Sequence, residues 1–153
     1  ATMSTRTGLP EFLDGGLPPE QQIPVNQPRV YFGQNSPSYS IVGQPKGSRP
    51  VEFRQTNAEY QMVDWIHEAI DRPAAGIVIN PAGHTFTSIP ILDALKMFPG
   101  PVFELHISNI HRREAIYHNS LVSKIATAVI AGLGPDGYPT AVAALGRLLD
   151  KKG

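Results

Sequence analysis

The segment PVFELHISNIHRREAIYHNSLVS, Pro101 to Ser123, decides how the rest of the chain is read. Val102, Phe103, Leu105 and Ile107 are apolar and β-favouring, and Gly100 and Pro101 break the chain just ahead of them, so a strand is predicted. Polar groups crowd the end of that strand: Glu104, His106, Ser108, Asn109, His111, Arg112, Arg113, Glu114, Tyr117 and His118. In an open α/β sheet, ligands bind just beyond the carboxyl ends of the strands. Alternation puts Glu104, His106 and Ser108 on one face. Two assignments stay open at this point: a solvated face of an edge strand, or the wall of a site.

Composition sets the outer limits. A chain of 153 residues fits one domain with a substantial core. Its 13 basic and 13 acidic residues balance, which gives neither nucleic acid nor an anionic membrane a reason to bind. There is no cysteine, so disulfides and thiolate chemistry are excluded. No apolar run approaches the roughly 18 residues of a membrane span. The first residues lack the basic and apolar regions of a secretory signal, and a cytoplasmic location is expected.

Upstream, residues 1–28 read as an extended Pro-rich arm. LPEFLDGGLPPEQQIPVNQP holds five prolines and a Gly-Gly pair, with no helical or alternating period. Its apolar residues suffice to attach it to a surface, and a disordered leader is the other option. The domain proper is expected over 29–153. RVYFG, Arg29 to Gly33, is a short strand, followed by a Gly/Pro/Ser-rich loop and a second strand at Val51 to Phe53. Thr56 with Glu59 forms a capping box that would start a helix with Met62, Val63, Ile66, Ala69 and Ile70 on its apolar stripe. GIVIN, Gly76 to Asn80, is apolar enough to be buried on both faces of a parallel sheet. PAGHTFTS makes a turn, Thr87 or Ser88 caps the next helix with Pro90 in its first turn, and Pro99-Gly100 stops it. A further buried strand, Ala126 to Ala131, leads through GLGPDG into a last helix near Pro139 to Asp150. This alternation predicts an α/β fold with a doubly wound parallel sheet between two helical layers.

VEFRQTNAEYQMVDWIHEA, GIVINPAGHTFTS, ILDAL, FELHISNIHRRE and VIAGLGPDGYPTAVAAL, in this order and spacing, closely resemble the type II 3-dehydroquinate dehydratases. The resemblance runs from about Val51 to Leu149. It implies a flavodoxin-like domain in three α/β/α layers, trimers assembled into a dodecamer, a small carbonyl or carboxylate substrate, and neither cofactor nor metal. It also implies a chemistry: a tyrosinate takes a proton alpha to a ring carbonyl, an enolate forms, and a histidine protonates the leaving hydroxyl. His106 falls on that histidine and Glu104 on the carboxylate that orients it. Ile107 and Ser108 match the pair that holds the substrate carboxylate, and Asn80 the asparagine that holds substrate hydroxyls. Asp93 matches an aspartate reaching the site of a neighbouring subunit. Gly83 and His84 fall on the turn over the site, and Asn35 on the asparagine of an N-G-P-N loop.

Departures from the family pattern cluster at the chemistry. Only QPKGSRP separates Gly43 from Val51, so the lid with its arginine and basic tyrosine, and the first crossover helix, are missing. Phe86 replaces a histidine that supports the tyrosine, and Tyr117 replaces a substrate-binding arginine. The base would then be Tyr39, Tyr117 or His84, with Arg49, Arg54 or Arg113 as the cation that a tyrosine needs to ionise near neutral pH. His111 and His118 have no metal-ligand spacing with His106. The expected function is a dehydroquinase-like lyase or isomerase acting through an enolate on a less polar cyclic substrate. Dehydratase activity on 3-dehydroquinate itself, and a non-catalytic binding or scaffold protein, are the alternatives.

Overall fold

The structure is a computed structural model that describes Val30–Tyr31, by backbone alone, and residues 51–151. Among these residues seven strands and α-helices follow in order: β1 (Val30–Tyr31), α1 (Glu59–Asp71), β2 (Gly76–Ile79), α2 (Ile89–Met97), β3 (Val102–His106), β4 (Ala128–Ala131) and α3 (Gly137–Asp150). The strands lie in the order β1-β2-β3-β4, every neighbouring pair parallel. Ile77 pairs with Val102, Ile79 with Glu104, and His106 with Ala131.

β2 is buried at every position, as a strand covered on both faces must be. Its alternate side chains feed two cores. Ile77, Ile79 and Val102 pack with Met62, Ile66 and Ala69 of α1 and with Ile91, Ala94 and Leu95 of α2. Val78, Phe103 and Leu105 point the other way, against Tyr138, Ala141 and Leu145 of α3. The result is the expected flavodoxin-like three-layer arrangement, helices α1 and α2 on one face and α3 on the other.

Local signals set several boundaries as expected. Ser88 is the N-cap of α2, its Oγ accepting the Ile91 N–H at 3.0 Å, with Pro90 in the first turn. GLGPDG is a strand-to-helix turn, and Gly132 adopts a left-handed φ of 89° beside Asn109, where a Cβ would come within 3.1 Å of the Asn109 side chain. Only glycine lets the chain after β4 lie this close to the end of β3.

Three expectations are corrected. Residues 51–53 form no strand; Val51 and Phe53 instead pack on the α3 side of the core. α1 begins at Glu59 rather than after a Thr56 cap: the Thr56 hydroxyl accepts the Ala58 N–H at 3.0 Å, closing a short turn just ahead of the helix. β4 starts two residues later than expected and is not buried. Val129 is 45% exposed, since among the described residues β4 is the last strand of the sheet. The expected N-terminal arm and missing crossover helix, with Tyr39, Asn35 and Arg49, lie outside the described residues.

Candidate active site

The carboxyl ends of β2, β3 and β4 carry Asn80, His106 and Gly132, so the loops that follow them meet above one edge of the sheet. Two of those loops approach β3: the 3₁₀ turn Ala82–Phe86 and the segment 115–125. The Leu121 N–H donates to the Thr85 carbonyl at 2.8 Å and clips them together.

Both of the polar side chains inside β3 are buried, Glu104 with no exposure and His106 at 4%. This rules out the solvated face of an edge strand, since β3 is also paired on both sides. The His106 Nε2–H donates to Glu104 Oε1 at 2.7 Å. Thr85 Oγ1 at 2.8 Å and Ser120 Oγ at 2.5 Å donate to the same oxygen, and the Ser123 hydroxyl donates to Oε2. Burial alone would push the Glu104 carboxyl up. The hydrogen bonds from His106, Ser120, Ser123 and Thr85 together outweigh it and hold the group below the ordinary carboxylate value. An anionic Glu104 fixes the hydrogen on Nε2 and leaves Nδ1 as the ring nitrogen available to a ligand.

Asn80 is 3% exposed and serves the scaffold. Its Oδ1 accepts the Ala82 N–H at 3.1 Å, and its Nδ2 donates to the buried Tyr138 hydroxyl at 2.7 Å, tying β2 to the first turn of α3. The bond to Ala82 offsets a local cost, because Ala82 sits at a φ of 48°, worth about 1–2 kcal/mol for a residue bearing a Cβ.

Aromatic rings form the adjoining wall. Phe86 stacks on His106 with centroids 6.1 Å apart and planes 21° apart, and the edge of Tyr117 meets Phe86 at 5.4 Å. The Arg113 guanidinium lies 3.5 Å from the centre of the Tyr117 ring. Of the cations considered for a tyrosine partner, Arg113 thus reaches Tyr117. Arg54 is committed elsewhere, bidentate to Glu68 at 2.6 and 2.8 Å, bonded to Glu52, and 5.5 Å over Trp65.

His106, Glu104 and Tyr117 are therefore brought together through Phe86, while Asn80 and the Gly83–His84 turn flank them. Ile107 is half-buried, its carbonyl accepting the Gly134 N–H at 2.9 Å, and Ser108 is exposed beyond the strand end. Asp93 lies on the outer face of α2 with Lys96 as its ion-pair partner at 3.0 Å. His111 and His118 pack at 5.9 Å in the exposed loop, and the His118 Nε2–H donates to the Arg113 carbonyl. Sequence reasoning missed Thr85, Ser120, Ser123 and Tyr138. A usable signal existed for the first three: a glutamate inside an apolar strand needs donors once buried, and hydroxyl residues in the flanking loops supply them.

Residues 39–146 match the family model described as class II dehydroquinase, and residues 1–68 match that of an uncharacterised protein family. Tyr39 stands first in the former span and Asn35 ahead of it. The chain is 58% identical over 90 residues to 3-dehydroquinate dehydratase 2 of Agrobacterium fabrum, covering 59% of this chain and 60% of that protein. It is 59% identical over 88 residues to the 3-dehydroquinate dehydratase of Bartonella bacilliformis, covering 58% of this chain and 55% of that protein. It thus spans somewhat over half the length of these relatives. The solved type II dehydroquinase of Propionibacterium acnes matches with a TM-score of 0.65 at 35% identity, over 80% of this chain and 97% of that one. Among the described residues no helix is long and apolar enough to cross a membrane.

Proposed function

The chain belongs to the class II dehydroquinase family, and from that premise we propose that it dehydrates 3-dehydroquinate by an enolate route. One observation carries the proposal: an imidazole at the end of a buried strand, its Nε2–H donated to a fully buried carboxylate at 2.7 Å. Similarity to proteins named 3-dehydroquinate dehydratase supports the choice of substrate. In this scheme a base removes the proton alpha to the ring carbonyl, and the C–H electron pair becomes the enolate double bond. As the enolate collapses, the neighbouring hydroxyl departs with the proton carried on His106 Nδ1. One water is lost and a conjugated enone remains. Glu104 stabilises the imidazolium before transfer and holds the ring in place afterwards. Ile107 and Ser108 would hold the substrate carboxylate, with Asn80 on its hydroxyls. Tyr117 beside Arg113, and His84 on the turn after β2, are the base candidates in the described part of the chain, and Tyr39 is the third. Asp93, exposed on α2, would meet the site of a neighbouring copy in the family's trimer.

A second substrate is favoured by one observation, the apolar wall that Phe86 and Tyr117 build against His106. A ring acid with fewer hydroxyls than dehydroquinate would fit that wall better, because its ring would lose less hydration there. Incubation with 3-dehydroquinate, followed by the rise of enone absorbance, tests the proposal. Turnover that disappears in His106→Ala supports it. Silence at high protein concentration, with turnover of a less hydroxylated ring acid, would replace it with the second reading; silence towards both would leave a binding protein on this fold.

A further inference from the structure

We propose that Thr85, Ser120 and Ser123 are positioning residues that set how tightly His106 holds its proton and on which nitrogen, acting through Glu104 and not on the ligand. The inference deepens the proposed function and rests on its assignment of His106 as proton donor. Its basis is the way the hydroxyls are aimed. Ser120 Oγ accepts the Ser123 N–H at 2.9 Å, which turns its own hydrogen toward Glu104. Thr85 comes from the other loop, and its carbonyl is pinned by the Leu121 N–H. Both oxygens of Glu104 are therefore taken by groups from two separate loops.

All three loop donors are neutral. A guanidinium in their place would cancel the carboxylate charge and remove its pull on the imidazole. Hydroxyls leave the charge in place but drain basicity from it, so the imidazolium is supported without being locked. Of the described titratable groups, His106 contacts Glu104 directly, and Tyr117 and Arg113 reach the pair through Phe86. His84 and Lys124 lie on the two loops that carry the hydroxyls, half-buried and exposed respectively.

The experiment follows the imidazole nitrogens of the full chain, labelled with ¹⁵N-histidine, through the histidine titration range, with His106→Asn to assign the resonance. In the native protein, neutral His106 should carry its hydrogen on Nε2. Ser120→Ala with Ser123→Ala should raise its apparent pKa by about one unit, tenfold in proton affinity, because the carboxylate becomes more basic. A folded double variant whose titration moves by less than about 0.2 unit would overturn the proposal. If the double variant does not fold, Ser123→Ala alone decides, at a residue on the exposed rim; its shift should be about half as large. In a Glu104→Gln background the serine substitutions should have no effect, and a shift that persists there would assign it to general disturbance and overturn the proposal. Where dehydroquinate turnover is found, the limb of the kcat profile that reports His106 should move with the titration. A titration shift without any turnover upholds the positioning role while the substrate proposal fails, so the two failures are distinguishable.

Discussion

Glu104 in the middle of β3 and Glu68 in α1 are both held ionised below the ordinary carboxylate value, by opposite means. Glu68 is gripped first by the Arg54 guanidinium, against a smaller opposing effect of burial, with Arg72 adding its charge. Glu104 is wholly buried, and its partners are hydroxyls and one imidazole. Arginine does not release its proton in proteins, so the Glu68 cluster has nothing to exchange and ties residues 51–58 to α1. The Glu104 cluster contains an imidazole, a group able to take up and give up a proton, and it stands at the carboxyl end of a parallel strand. Two charge clusters of similar size thus part into a brace and a candidate site according to the chemistry of the donors.

The widest separation between them should appear in turnover. His106→Ala is expected to lower kcat by about 10²–10⁴-fold. Because it breaks the buried pair with Glu104 it should also lower the melting temperature, so kcat is compared on folded protein well below that temperature. Arg54→Ala should leave kcat unchanged, and steady-state kinetics of the two variants side by side measure the contrast. Next comes stability: Glu104→Ala breaks a buried pair and strands its donors, at an expected cost of about 3–5 kcal/mol in urea unfolding. Arg54→Ala should cost less, about 1–2 kcal/mol, since Glu52 and Glu68 keep partial access to water, and its cost should shrink at high salt while that of Glu104→Ala does not. The smallest difference concerns pH. Because both carboxylates have folded values below their unfolded ones, each contributes stability in full above about pH 4.3 and loses it as pH falls through the lowered folded value. Unfolding measured from neutral to acid pH should therefore show the gap between native and Glu104→Ala protein closing only on the acid side.

Much of the scaffold was legible because its signals are local. Ser88 and Pro90 announce α2, Pro99 and Gly100 end it, and an unbroken apolar GIVI announces a strand buried on both faces. Thr56 misled for an equally local reason, since its hydroxyl found the Ala58 amide two residues away and left the helix to start beyond it. Whether Glu104 and His106 face solvent could not be read from β3, because alternation says which residues share a face and not what covers it. The resemblance pointed to the histidine and its glutamate. The hydroxyls that complete the cluster come from 19 and 16 residues away, and Tyr138 meets Asn80 across 58, so only the folded chain brings them together.

Phe86 has a consequence for how the histidine works in time. With Phe86 stacked along one face and one nitrogen tethered to a buried carboxylate, turning the imidazole end over end would break its bond to Glu104. The tether therefore holds the ring in one orientation. Under the proposed function, a proton given up at Nδ1 would have to be restored at that same atom, from the side where the ligand binds.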